Sequence, residues 1–351
     1  MINKETTKMK NNSKNKPGLM AKHRPFSKTA AVAAVLLATQ PAFALDAPKV
    51  SGALEVEVSS STDYTGTKSS DIALATAALA FEGSVNKHVN YNISFLYEDG
   101  TPLELDEGYI TINVPRTSSY FSAGQLFVPF GNFSTAMVSD PVTLEMGETR
   151  EDVLQFGFET NTVYGSVYAF NGELDEVNTD STVADIGANA GIKFKRGKTE
   201  MDFGVGYISN LAETDGISGA VPATIQKTIA GITAHAVMNF GNVQVVAEYL
   251  GATDTFATAD LAFNGQGAEP SAYNVELAFT GDVTVGVSYQ ATEEAVALGL
   301  PESKVLVAVS YDLYENTNLA LEFSSSDDYS VADGGTGKSA DSTVVKLAVE
   351  F

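Results

Sequence analysis

The chain has 351 residues, 21 Lys and Arg against 44 Asp and Glu, a formal net charge of −23, and neither cysteine nor tryptophan. A chain this acidic has no basic surface for nucleic acid or an anionic membrane, and disulfides and thiolate metal sites are closed to it. No spacing in it predicts a metal centre or a cofactor.

The first element is an export signal. Residues 1–28 carry eight cations (Lys4, Lys8, Lys10, Lys14, Lys16, Lys22, Arg24 and Lys28) against one acid, Glu5. A small-apolar run from Thr29 to Thr39 follows, then Gln40-Pro41 and the small-x-small site Ala42-Phe43-Ala44. A spanning helix needs about 20 apolar residues, and this run is about half that. The reading is a signal peptide over 1–44, cleaved after Ala44, and a mature domain over 45–351. Taking 8 cations and 1 acid from the totals leaves 13 and 43, a net charge of −30 over 307 residues.

Beyond the signal, apolar residues recur every second position. Val89, Tyr91, Ile93, Phe95 and Tyr97 form one row, and Gly108, Ile110, Ile112 and Val114 another. Met201–Tyr207, Val243–Tyr249, Tyr273–Phe279, Val283–Tyr289, Val305–Tyr311 and Leu319–Phe323 continue the pattern. Several rows end in Tyr or Phe, the residues that sit at a membrane interface. Short turns near 86–88, 115–118, 160–162, 196–199, 241–242, 281–282 and 312–316 alternate with long polar stretches. Those stretches lie near 59–70, 99–106, 129–150, 172–183, 209–226, 251–270, 291–303 and 325–341. Eight long loops and seven short turns separate sixteen strands. The fold expected is all-β: a transmembrane antiparallel up-and-down β-barrel of about sixteen strands, with short periplasmic turns and long extracellular loops, in the bacterial outer membrane.

The last strand alternates Val345, Leu347, Val349 and Phe351 with Lys346 and Glu350. In lipid the final strand must pair with the first, because an open edge there leaves backbone groups unsatisfied. Phe351 is therefore read as the barrel-closing terminal residue. By the same alternation Glu107, Glu276, Glu322, Lys346 and Glu350 face the lumen. A soluble β-sandwich would need a second layer over every outward row.

The third long stretch is the most distinctive. Ser122-Ala123-Gly124-Gln125-Leu126-Phe127-Val128-Pro129-Phe130-Gly131-Asn132-Phe133 leads to Ser139-Asp140-Pro141-Val142-Thr143-Leu144-Glu145-Met146-Gly147-Glu148-Thr149-Arg150-Glu151. Pro129 ends strand pairing, Gly131 permits a turn, and Asp140 before Pro141 favours an extended conformation. A loop of about 20 residues carrying Phe130, Phe133, Met137, Val138, Leu144 and Met146 has apolar groups to bury. Loops of such length are usually functional. Two placements are open: inside the lumen as a constriction, with Glu145 and Glu148 facing Arg150 or other cations, or across the mouth as a cap.

This segment resembles the LbtU family of siderophore porins, in which a strand ending Gly-x-Leu-Tyr-Val-Pro-Phe-Gly runs into an Asp-Pro-Leu-Thr-Leu-x-Gly-Glu-Thr loop. Phe127 and Val142 stand at that pattern's Tyr and Leu, and Tyr168-Ala169-Phe170-Asn171-Gly172 resembles the strand end that follows. The resemblance covers about 122–172. It implies an outer-membrane barrel taking up ferric siderophores without a TonB-driven plug. Only Leu45–Lys49 separate the expected cleavage site from the first strand, so transport is expected to be passive.

The other candidates are weaker. His88 falls in a turn and His235 mid-strand, with no register of Ser and acid around it, so no enzyme is expected. Acids in Glu173–Asp185 and at Asp327-Asp328 read as solvated loop charge, with cation-bridged lipopolysaccharide as the alternative. Expected partners are small solutes, ferric siderophore among them, outer-membrane lipid and lipopolysaccharide, and the barrel-assembly machinery. The charge of −30 favours a competing reading, a general cation-preferring diffusion porin.

Overall fold

The computed structural model describes residues 47–179 and 182–351. The expected signal peptide and its cleavage site lie outside them. Sixteen strands form one closed barrel: β1 (Lys49–Thr62), β2 (Lys68–Asn86), β3 (Val89–Glu98), β4 (Glu104–Asn113), β5 (Ser119–Phe127), β6 (Arg150–Glu159), β7 (Val163–Phe170) and β8 (Asp185–Arg196), then β9 (Thr199–Ile208), β10 (Gly231–Phe240), β11 (Val243–Ala252), β12 (Ser271–Phe279), β13 (Val283–Glu293), β14 (Ser303–Tyr314), β15 (Thr317–Asp327) and β16 (Ser339–Glu350). Each pairs antiparallel with its neighbours in chain order. β16 returns to β1 from Ala53↔Glu350 to Thr62↔Asp341, and Phe351 and Gly52 exchange backbone hydrogen bonds of 2.9 and 3.1 Å. No ladder edge is left open, which is what hydrocarbon demands of a β-structure.

The alternation of the sequence becomes the two faces of the wall. Leu54, Val56 and Val58 on β1, Val283, Val285, Val287 and Tyr289 on β13, and Leu319, Leu321 and Phe323 on β15 are exposed on the outside, while Glu55, Glu57, Ser288 and Glu322 between them are buried inside. Such a continuous outer apolar band is a lipid-facing surface. Phe158, Phe194, Phe240, Phe279 and Tyr311 border it near the short turns, and Tyr207, Tyr249 and Tyr289 border it near the long loops. No described helix is long and apolar enough to cross a membrane.

The first two loops are shorter than expected, at residues 63–67 and 99–103. Ser59–Thr62 pairs with Lys68–Asp71 to extend the β1–β2 hairpin. Above the membrane the outward face has no need to be apolar, so polar strand reads as loop. The longer loops build a small core of their own: Ile217, Ile225, Phe256, Leu261 and Leu300 are buried with Phe130 and Met146 of the third loop. Two short ladders help tie these loops, Asp175–Glu176 with Thr224–Ile225, and Ala262–Phe263 with Gln266–Gly267.

Candidate functional site: the lumen and the third loop

The third loop leaves β5 after Phe127, and the bond from Val128 N to Thr149 O (2.9 Å) closes its base. Pro129 follows, where strand pairing has ended. Phe130 is buried beside Ile208, Leu211 and Ile229. Gly131 then turns the chain at φ 102°, a conformation L side chains rarely adopt.

From there the loop runs along the inner wall, and wall carboxylates hold it. Glu248 of β11 accepts Asn132 N at 2.6 Å, Phe133 N at 3.0 Å and the Thr143 hydroxyl at 3.1 Å. Glu276 of β12 accepts the Thr135 hydroxyl at 2.6 Å and Ala136 N at 2.9 Å. Glu322 of β15 accepts Val138 N at 2.6 Å and Ser139 N at 3.1 Å, and the Ser139 hydroxyl makes a further short bond to it. Apolar contacts follow the same path: Met137 with Leu306 and Ala308 of β14, then Val138 with Ala320 and Val344 of β15 and β16.

The return limb is helical. Asp140 and Pro141 are buried, and Pro141, extended at φ −71° and ψ 147°, leads into α1 (Val142–Gly147). Val142 N donates to Gln290 of β13 at 3.1 Å. Gly147 packs against Leu250, leaving no room for a Cβ, and Glu148 O accepts Asp215 N of the fifth loop at 2.8 Å.

Lys304 of β14 is the cation that acts on Glu145, one of the alternatives to Arg150 that the sequence left open. Arg150 bridges Asp106 at 3.0 Å and Glu104 at 3.2 Å, both on β4. Those two carboxylates sit on the neighbouring ladder and reach it without crossing the lumen. Burial raises the Glu145 carboxyl above its ordinary range, with Lys304 opposing that shift. Lys346 lies 3.4 Å from Glu55, and Lys193 lies 2.6 Å from Glu159. These inward lysines are thus partnered by acids, and Glu57 adds further negative charge on β1. Glu107 faces inward and accepts Asn92 Nδ2 at 3.2 Å. Glu350 is exposed at the periplasmic rim, and Phe351 is exposed on the outer face. Gly124 has φ 131°, and its backbone lies directly against Gly108 O and Tyr109.

Glu248 and Gln290 belong to this arrangement and were missed from the sequence. The signal was there: Glu248 stands between Ala247 and Tyr249 as Glu276 stands between Val275 and Leu277, so the same alternation turns both inward.

Comparison with known proteins agrees with this architecture. No family model matches the chain. It is 29% identical over 328 residues to a UPF0422 protein of Legionella pneumophila (strain Paris), covering 80% of this chain and 62% of the relative, so the chain spans less than two thirds of that protein's length. The crystal structure of the outer membrane channel DcaP of Acinetobacter baumannii superposes with a TM-score of 0.60 at 14% identity, covering 87% of this chain and 97% of that one. An anion-selective porin from Comamonas acidovorans gives 0.62 at 12% identity, covering 87% and 99%. The fold is that of the sixteen-stranded outer-membrane barrels.

Proposed function

We propose that the protein is a passive outer-membrane channel for small solutes, with the third loop setting its aperture. The observation that carries this reading is the path of that loop. It runs inside a sixteen-stranded barrel, a size that leaves an aqueous lumen, and it is fixed to the wall by Glu248, Glu276 and Glu322. A segment fastened there narrows the lumen, and the charge along its free edge acts on whatever passes.

For cargo, the third-loop motif supports ferric siderophores. A second reading, a general cation-preferring porin, is favoured by the partnered lysines and by Glu57, which adds negative charge on β1. The UPF0422 relative is longer than this chain, and its name assigns no cargo.

Planar-bilayer recording tests the channel, and its reversal potential in a salt gradient tests the charge preference. Ferric-siderophore uptake by a deletion strain and its complemented parent separates the two cargo readings. Reduced uptake without the protein supports siderophore transport, and equal uptake supports the general porin.

A further inference from the structure

The wall that the third loop leaves uncovered has a chemistry of its own. The hydrogen bonds from the loop to wall side chains go to β11, β12, β13 and β15. Across β4 to β8 the inward charges lie toward the two ends, Glu107 on β4 at one and Glu159 of β6 with Lys193 of β8 at the other, and the face between them is uncharged. Three half-buried tyrosines border that face, Tyr109 on β4, Tyr120 on β5 and Tyr164 on β7.

Glycines on the neighbouring strands decide how two of the rings lie. Tyr120 pairs with Gly157 and Tyr164 with Gly191. A Cβ at either glycine would run into the opposite tyrosine ring. Each ring therefore reclines over bare backbone; the Lys193 ammonium lies over the Tyr164 ring at 4.9 Å, which leaves Tyr120 as the ring with a face toward the lumen. Tyr164 extends past Gly191 to Gly204, where its hydroxyl donates to Asp202 at 2.9 Å and lies 3.3 Å from His235 Nε2.

Between the rings the wall carries hydroxyls and amides. Thr111 and Ser122 are hydrogen-bonded at 2.8 Å; Gln155 donates to Ser166 at 2.9 Å, and Ser166 to Asn189 at 2.7 Å. Ring faces suit the C–H faces of a sugar, and neighbouring hydroxyls and amides suit its hydroxyl groups. The middle of this wall offers no counter-charge to an ion. A row of weak, similar contacts favours passage, because a solute can move from one to the next without being trapped.

We infer that the β4–β8 wall, with Tyr109 and Tyr120 bordering a row of hydroxyl and amide side chains, is a low-affinity track for neutral polyhydroxylated solutes. This inference rests on the channel reading but not on either cargo named above.

The test is ion-current block in planar bilayers by maltotriose, with an ethylene-glycol oligomer of equal hydrodynamic radius as the control. Maltotriose should reduce the current saturably and the oligomer should not. Tyr120→Ala should raise the half-blocking concentration about fivefold, the loss of one stacking contact, while Tyr120→Phe, which keeps the ring, should stay near wild type. If the alanine variant does not fold, Tyr120→Leu replaces it, since it fills the site without a ring face. Equal block by both solutes, or unchanged block in the ringless variant, would overturn the track while leaving the channel intact. A wild-type protein that conducts no ions removes the channel reading, and this inference with it.

Discussion

The Glu322 carboxylate on β15 accepts the backbone N–H of Val138 at 2.6 Å, across 184 positions of chain. This bond holds the tip of the third loop near the seam where β16 meets β1. Ser139 donates to the same side chain twice, through its amide and its hydroxyl, so one residue satisfies three donors. Glu248 likewise accepts three donors of the loop, and Glu276 two. The loop's position therefore rests on three carboxylates, the Gln290 amide and a few apolar contacts.

Glu322→Ala should free the tip. It leaves two buried backbone N–H groups without their acceptor, at about 1–3 kcal/mol each, and the loop should respond by moving, since the wall is untouched. The expected result is a barrel with normal heat-modifiable migration on gels whose single-channel current flickers between levels. A quiet current of wild-type amplitude would show that Met137 and Val138 suffice to hold the loop.

Gly124→Ala should damage assembly itself. The residue sits at φ 131°, and a new methyl would meet the Gly108 carbonyl and Tyr109, which are backbone and cannot swing aside. Strain of about 1–3 kcal/mol is expected from the conformation alone, seen as a lower yield of folded barrel. Gly219→Ala, in open space with φ −72°, is the control and should behave as wild type.

A pH effect should appear in the fourth loop. Burial, with Asp185 and Glu173 nearby, pushes the Glu213 carboxyl up to about 7, although it accepts the Glu173 and Leu174 amides at 2.9 and 3.1 Å. A carboxyl raised in the folded state binds protons there that the unfolded state has released. Local stability should thus be greatest below about pH 4.5 and fall as pH rises through 7, by about 2 kcal/mol once solvent at the mouth is allowed for. Hydrogen exchange of residues 172–174 at pH 5.5 and 8 measures this. Glu213→Gln should remove the dependence; an unchanged pH profile in that variant would assign it to another group.

The wall was legible in the sequence because its physics is local. Val283, Val285, Val287 and Tyr289 meet lipid and alternate with Thr284, Gly286 and Ser288, so period and face follow from neighbours in the chain. The same reasoning failed for Ser59–Thr62 and Lys68–Asp71, which pair above the membrane where nothing selects an apolar outer face. The third loop announced itself by length and apolar content, and Pro129, Gly131 and Pro141 marked its turns. Its route was not legible, because the partners of Asn132 and Val138 are 116 and 184 residues away. The partners of Arg150 were not legible for a related reason: Glu104 and Asp106 are near it only through the β4–β5–β6 ladder.

The most direct test of the account is single-channel conductance in planar bilayers for the wild type and for a variant lacking Ser134–Met146. The deletion leaves every strand pair in place, and joining the ends of a shorter loop costs little. It also exposes Glu276 and Glu322 to water, where their charges are solvated. The account predicts a folded barrel with higher conductance and a reversal potential shifted by the newly exposed carboxylates toward cations. Unchanged conductance and reversal potential in a correctly folded variant would contradict it, because the third loop would then not set the aperture.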